Sequence, residues 1–202
     1  MRLKLLIIVI FLAFVHLKSH AQFRISSSFK GDDVVQNVPM LMDLALEPLG
    51  AEAKHPFLDR TLELGVAIVT EAALVNTIKY SVREMRPDGS ARNSFPSGHT
   101  ATAFTGAELV RMEYGWGYGS AAYLMGVGVA YCRVGKGRHW WWDCVAGAGI
   151  GVFSAHVGEW LLPYTRSAWD RMFPGTQAPA VSFSPTYDPM SGAVGTSLAF
   201  RF

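Results

Sequence analysis

The sequence predicts an all-α helical bundle of five to six helices, followed by a short C-terminal β-hairpin. Half of the 202 residues are hydrophobic and only 17% are charged, below the roughly one quarter found in ordinary soluble domains. Apolar residues recur at helical spacing along most of the chain, and clusters of glycine and proline separate these segments. This pattern fits either a membrane-associated protein or a tightly packed helical domain.

The first residues have the pattern of an export signal. Arg2 and Lys4 precede an apolar run at 5–15, and Ser19-His20-Ala21 forms a small-x-small cleavage site. We therefore predict a signal peptide over residues 1–21. An uncleaved anchor helix is the alternative, although the run is short for a membrane span. In both cases the rest of the chain lies outside the cytoplasm, and the periplasm or periplasmic face of a bacterial envelope membrane is the predicted location.

The predicted helical domain covers residues 22–174. A proline at position 87 and a polar loop over 88–96 interrupt it, and glycines over 115–119 predict a turn. The helices predicted between these breaks cover residues 32–49, 62–82, 97–114, 120–134 and 139–162.

Small residues recur every fourth position in the last two helices, and this spacing lets helix backbones approach closely. They are Ala122, Gly126 and Ala130 in one helix and Gly147, Gly151 and Ala155 in the other. Such stripes occur in membrane bundles and in soluble ones, and neither uncharged segment, 114–132 or 144–158, fits a full membrane span well. The tail over 175–202 predicts two strands, 181–187 and 193–202, joined by a turn.

Positive charge is concentrated in the middle of the chain. Residues 79–138 contain eight basic side chains and four acidic ones, although the formal net charge of the whole chain is only +2. A local excess of this kind predicts a small anionic ligand and not a nucleic-acid surface.

Lys79, Arg83 and Arg86 form the first of three clusters that carry chemistry. Their spacing of four and three residues places all three on one face if the helix continues through them. Like charges repel, so an anion between them would stabilise such a face. A solvated basic stripe near a helix end is the alternative interpretation.

The second cluster is Pro96-Ser97-Gly98-His99. Ser97 is a good N-cap residue, the free N–H groups of a helix start bind anions, and Gly98 permits close approach to the backbone. His99 in the first turn is placed to donate a proton to a leaving oxygen. An ordinary capped helix with an incidental histidine is the alternative.

The third cluster contains Arg133, His139 and Asp143. His139 and Asp143 are four residues apart at a helix start, so a carboxylate–imidazole hydrogen bond would leave the other ring nitrogen free to attack. Arginine suits bidentate phosphate recognition. A surface Asp–His pair without a catalytic role is the alternative interpretation. A zinc site is a further alternative, but no zinc-ligand pattern supports it.

Together the three clusters match the order K-x6-R-P, P-S-G-H and R-x5-H-x3-D. This set, over residues 60–162, resembles the type 2 phosphatidic acid phosphatase family. The resemblance implies a bundle like that of bacterial acid phosphatases and vanadium haloperoxidases, and phosphatase chemistry that requires no metal and no cofactor. It implies that His139 attacks phosphorus, Asp143 orients His139 and His99 protonates the leaving alcohol. The phosphoryl oxygens would be held by Lys79, Arg86, Ser97, Gly98 and Arg133.

One departure concerns Cys132, which stands where the family usually has serine before its arginine. Cys132 and Cys144 both flank the predicted site, and an exported chain could bridge them. The sequence leaves the bridge open because the required geometry is not readable from it.

Several functions remain open at this stage. A phosphorylated envelope lipid is the first expected substrate, with phosphatidic acid, phosphatidylglycerol phosphate, undecaprenyl diphosphate and lipid A phosphates as candidates, since tryptophans beside the site favour a membrane interface. A soluble periplasmic acid phosphatase acting on small phosphate esters is the main alternative. A vanadium haloperoxidase and a non-enzymatic envelope protein are more remote. No nucleic-acid partner is expected, and the sequence does not define an oligomeric state.

Overall fold

The computed structural model describes residues 30–174 and the backbone of two strands within 180–201. These residues form α1 (Gly31–Val35), α2 (Val38–Ala45), α3 (Phe57–Val82), α4 (Gly98–Gly135), α5 (Trp141–Met172), β1 (Ala180–Tyr187) and β2 (Val194–Arg201). The predicted helical class is confirmed. The proposed signal peptide over 1–21 and the tail turn over 188–192 lie outside the described residues, so the domain boundaries remain predictions.

Two short helices replace the single helix predicted over 32–49. α1 ends at Val35 and α2 begins at Val38, with Pro39 in its first turn. Proline has no backbone N–H, so it is tolerated in the first turn of a helix but not in the interior. The interruption turns α1 into a separate element, which packs against α4.

α3 begins at Phe57, earlier than predicted, and ends at Val82 as predicted. Arg83 follows in the left-handed conformation with φ of 50°, and its backbone N–H donates to the Lys79 carbonyl at 3.2 Å. The chain therefore leaves the helix before Arg86. The prediction that Lys79, Arg83 and Arg86 share one helix face is wrong, because this left-handed residue ends the helix between them.

α4 contains a sharp reversal where the sequence predicted a five-residue turn. Gly115 alone leaves the helical conformation, with φ of 76° and ψ of −174°, and glycine is favoured at positive φ. The second half of α4 folds back along the first. A Cβ added at Gly119 would lie 2.8 Å from the Arg111 Cβ, and one at Gly126 would lie 2.9 Å from the Phe104 ring.

α5 packs its glycines against the first half of α4. A Cβ added at Gly147 would lie 2.4 Å from the Ser97 carbonyl oxygen, and one at Gly151 would lie 2.4 Å from the Ala101 oxygen. The predicted close approach of a small-residue stripe is confirmed for α5. Its consequence is that the start of α4 and the start of α5 lie side by side.

α5 also runs through Pro163 to Met172, although the sequence predicted its end at residue 162. Arg166 Nη1 donates to Asp59 Oδ1 of α3 at 2.6 Å, which holds the extra turns against the bundle. The two strands pair antiparallel, with Ala180 opposite Arg201 and Tyr187 opposite Val194. The described thiols of Cys132 and Cys144 are both free.

Candidate active site

Five segments meet at one end of the bundle. They are α1, the last turn of α3, the loop between α3 and α4, the first turn of α4, and the segment from Arg133 to Asp143 that joins α4 to α5. One backbone hydrogen bond joins the two helix starts directly, because the Ser97 N–H donates to the Asp143 carbonyl at 2.9 Å.

The imidazole of His139 is buried, with 2% of the residue exposed. Its Nδ1 lies 2.8 Å from the Ser94 carbonyl oxygen and 3.5 Å from Asp143 Oδ2. A carbonyl oxygen only accepts, so Nδ1 carries the hydrogen and Nε2 keeps its lone pair when the ring is neutral. From the sequence, Asp143 alone was expected to fix this tautomer. In the structure, the nearer partner of Nδ1 is the Ser94 carbonyl oxygen.

Asp143 organises the same segment through its own contacts. Oδ2 accepts hydrogen bonds from the Ser94 hydroxyl at 2.5 Å and from the Trp140 backbone N–H at 2.8 Å. The carboxylate is completely buried. A buried carboxylate that accepts hydrogen bonds from two donors is held in one position, and here that position is beside His139.

The electrostatic surroundings favour the neutral form of His139. Burial lowers its pKa, and the charges of Arg133 and Lys79 lower it further, while the hydrogen bond to Asp143 raises it; the net direction is downward. A lowered pKa favours the unprotonated imidazole near neutral pH, which is the form that can act as a nucleophile.

Two arginines present buried donors at this end of the bundle. The Nε atoms of Arg86 and Arg133 are buried and have no hydrogen-bond partner among the described residues. Burial and the neighbouring charges of Arg133 and Arg138 lower the pKa of Arg86. Guanidinium groups crowded in this way are stabilised by an anion that accepts their free N–H groups.

The ammonium group of Lys79 lies at the edge of the same region. Nζ donates to the Asn93 carbonyl at 2.8 Å, which uses one of the three ammonium donors. Arg83, which the sequence left as an optional neighbour, is exposed and donates from Nε to the Tyr80 carbonyl at 3.2 Å.

The first turn of α4 differs in detail from the predicted capped helix. Ser97 stands at the N-cap position, but its side chain makes no capping bond. Instead Oγ lies 3.0 Å from the Thr100 hydroxyl, and the residue is fully buried. A Cβ added at Gly98 would make only ordinary contact with Val75, at 3.6 Å. The backbone N–H groups of this turn, and not the Ser97 hydroxyl, are the better candidates for anion contact.

His99 follows in that turn, and its Nε2 lies 2.8 Å from Asp33 Oδ1. Next to it, Asp32 is buried and accepts from Arg133 Nη1 at 3.0 Å and from Lys136 Nζ. Asp32, Asp33 and Ser94 were not predicted from the sequence. The aspartates lie more than sixty positions from their partners, and the Ser94 contact to His139 uses a backbone atom, so no motif spacing marks them.

The fold and this arrangement define a family. The model of the PAP2 superfamily matches residues 60–167, and all eight residues that the sequence analysis placed in the site lie within that range. The chain belongs to the PAP2 superfamily.

Two individual proteins are similar to the chain. A lipid A 1-phosphatase of Porphyromonas gingivalis is 37% identical over 139 residues, which cover 65% of this chain and 31% of that protein. The chain thus aligns with about a third of the length of this relative. The crystal structure of Aquifex aeolicus LpxE superposes with a TM-score of 0.51 at 23% identity, covering 63% of this chain and 82% of that one. At 23% identity, the similarity to the Aquifex aeolicus structure shows the fold alone.

Proposed function

We propose that this protein is a phosphatase that removes phosphate from a phosphorylated lipid of the bacterial envelope through a phosphohistidine at His139. The observation that carries the proposal is the hydrogen bond that fixes the tautomer of His139. Its Nδ1–H is committed to the Ser94 carbonyl, which leaves Nε2 as the nucleophilic atom. At the same end of the bundle, the buried Nε–H groups of Arg86 and Arg133 are available to phosphoryl oxygens.

The proposed reaction uses these positions. Nε2 of His139 attacks phosphorus, and the imidazolium that forms keeps its Nδ1–H on Ser94 and close to the negative charge of Asp143. Lys79, Arg86, Arg133 and the Gly98 backbone N–H stabilise the charge on the equatorial oxygens, which is the main catalytic demand of phosphoryl transfer. His99 protonates the departing oxygen, and water then releases phosphate from His139.

A membrane lipid is the preferred substrate class. α3 and α5 are both long and apolar enough to cross a membrane. The charges of Arg60, Glu63 and Glu71 on α3 are buried, whereas Val69 on the same helix is 69% exposed. A helix that turns charge inward and apolar side chains outward suits a lipid environment. The phosphatase of Porphyromonas gingivalis suggests a lipid A 1-phosphate as the first substrate to test.

The test measures phosphate released by purified protein from lipid A, phosphatidic acid, undecaprenyl diphosphate and p-nitrophenyl phosphate. We expect turnover of a lipid phosphate, a labelled phosphoenzyme that is labile in acid, and loss of both in His139→Ala by at least about a thousandfold. His156→Ala is the matched control, because His156 contacts Glu108 and Glu159 on the bundle and not the site. Near-normal turnover by His139→Ala would contradict the mechanism, and activity on p-nitrophenyl phosphate alone would favour the soluble acid phosphatase.

A further inference from the structure

α1 brings two adjacent carboxylates to the site from outside the region that the family model matches. Asp32 is the anchor: 2% of the residue is exposed, and it accepts hydrogen bonds from Arg133 Nη1 at 3.0 Å and from Lys136 Nζ. Lys136 and Arg133 lie at the end of α4. A buried carboxylate that accepts two hydrogen bonds anchors the helix that carries it, so the backbone of its neighbour Asp33 is anchored as well.

Asp33 faces the imidazole of His99. Its Oδ1 lies 2.8 Å from His99 Nε2 and 3.7 Å from Arg133 Nη1. A carboxylate accepts hydrogen bonds when ionised, so Nε2 is the protonated nitrogen in this pair. The nitrogen left to exchange a proton with the substrate is Nδ1.

The charged groups around His99 have opposite effects on its pKa. Burial lowers its pKa, and the charge of Arg133 lowers it further, whereas Asp33 and Asp32 of α1 raise it; the net direction is downward. In the proposed mechanism Arg133 binds phosphate, so the site cannot remove this repulsion without weakening the substrate contact. The two α1 carboxylates favour the imidazolium that an acid catalyst needs.

We propose that Asp33 is a positioning residue for the general acid His99, accepting the Nε2–H hydrogen bond, favouring the imidazolium and directing Nδ1–H to the leaving oxygen. This inference rests on the proposed phosphatase function. As the P–O bond breaks, its electron pair passes to the alcohol oxygen and the Nδ1 proton passes to the same oxygen. His99 becomes neutral with Nε2–H still bonded to Asp33, which stays ionised throughout. The arrangement has the logic of the carboxylate–histidine pair in serine hydrolases.

The kinetic test compares two leaving groups. A phenolate such as p-nitrophenolate leaves without a proton, whereas an alkoxide needs one. We expect Asp33→Asn to reduce kcat/KM for an alkyl phosphate by about tenfold or more, and for p-nitrophenyl phosphate by less than about threefold. Asp33→Glu should recover part of the loss. Asp170→Asn, which removes an exposed carboxylate beside Arg166, is the matched control and should change neither.

The pH profile separates positioning from a structural role. His99 must be protonated, so activity falls as pH rises through its pKa. Removing Asp33 takes away a group that raises this pKa, and the alkaline limb for the alkyl ester should therefore move to lower pH by about one unit. Equal losses for both esters with an unmoved limb would overturn the proposal. A rise in activity, with stronger inhibition by inorganic phosphate, would also overturn it, because Asp33 would then be occupying the substrate's place.

An NMR titration decides the question independently of turnover. In histidine-labelled protein, the signal absent from His99→Asn identifies His99, and its titration midpoint should fall in Asp33→Asn and not in Asp170→Asn. An unchanged midpoint would overturn the inference even in an active enzyme. A lowered midpoint in a protein that releases no phosphate would retain the Asp33–His99 pairing and reject the proposed function instead.

Discussion

The imidazole of His139 is held by a residue 45 positions earlier in the chain, through a backbone atom. Ser94 acts twice: its carbonyl accepts from His139 Nδ1, and its hydroxyl donates to Asp143 Oδ2 at 2.5 Å. The residue is completely buried. One serine therefore ties the proposed nucleophile and its carboxylate to the loop before α4.

Ser94→Ala tests the side-chain half of this role. The variant keeps the carbonyl that fixes the tautomer but removes a hydrogen bond to a buried carboxylate, so we expect kcat to fall about tenfold. Phosphate release measures the effect. Ser90→Ala, in the exposed part of the same loop, should retain full activity. Equal activities of the two variants would mean that the Ser94 hydroxyl does not support Asp143.

At the scale of helices, the site depends on how closely α5 approaches α4. Ser97 of the α4 start and Asp143 of the α5 start share a backbone hydrogen bond, and the backbone of α5 reaches α4 because Gly147 and Gly151 have no side chains in the way. Packing at this distance leaves no room for an added methyl group.

Gly151→Ala should therefore destabilise the bundle. The added Cβ would lie 2.4 Å from the Ala101 oxygen and 2.8 Å from the Thr105 nitrogen, so the helices must separate. We expect the free energy of unfolding to fall by about 1–3 kcal/mol, measured by circular dichroism during denaturation in mild detergent.

Gly149→Ala is the matched control on the same helix. A Cβ there would meet nothing within 4 Å, and alanine is favoured over glycine in a helix by about 1 kcal/mol. The control should be neutral or stabilising. A similar loss of stability in both variants would contradict the prediction, because the contact with α4 is made at Gly151 and not at Gly149.

At the scale of the whole molecule, the distribution of charge suits a lipid surrounding. The charged residues Arg60, Glu63 and Glu71 point inward from α3, and large apolar residues such as Val69, Leu124 and Trp160 are more than half exposed. In water this surface would promote association. In a bilayer it would face acyl chains, and the proposed reaction centre would lie near one end of the helices.

Val69→Arg tests this arrangement. An arginine in the middle of a membrane helix costs about 2.5–3.5 kcal/mol, so less of the variant should stay in the membrane pellet after alkaline carbonate extraction. Glu52→Arg, in the exposed segment before α3, should behave like the wild type. Complete release of the wild-type protein by carbonate would contradict the membrane assignment and favour the soluble alternative.

The sequence by itself determined the helical class and the principal residues of the proposed site. Helical periodicity is a local property, and Lys79, Arg86, His99, Arg133 and His139 stand in short motifs whose spacing can be counted. The end of α3 at Val82 was also predictable. The shared helix face of Lys79, Arg83 and Arg86 was predicted wrongly, because Arg83 adopts the left-handed conformation and ends the helix.

Only the tertiary structure decided how these residues are held. It replaced a predicted turn with a single reversal at Gly115 and packed α5 on the first half of α4. It also placed Ser94 on His139, Asp32 on Arg133 and Asp33 on His99. These contacts join residues that are dozens of positions apart, and some use backbone atoms that every residue has. Sequence spacing records local geometry, and such long-range contacts depend instead on the path of the whole chain.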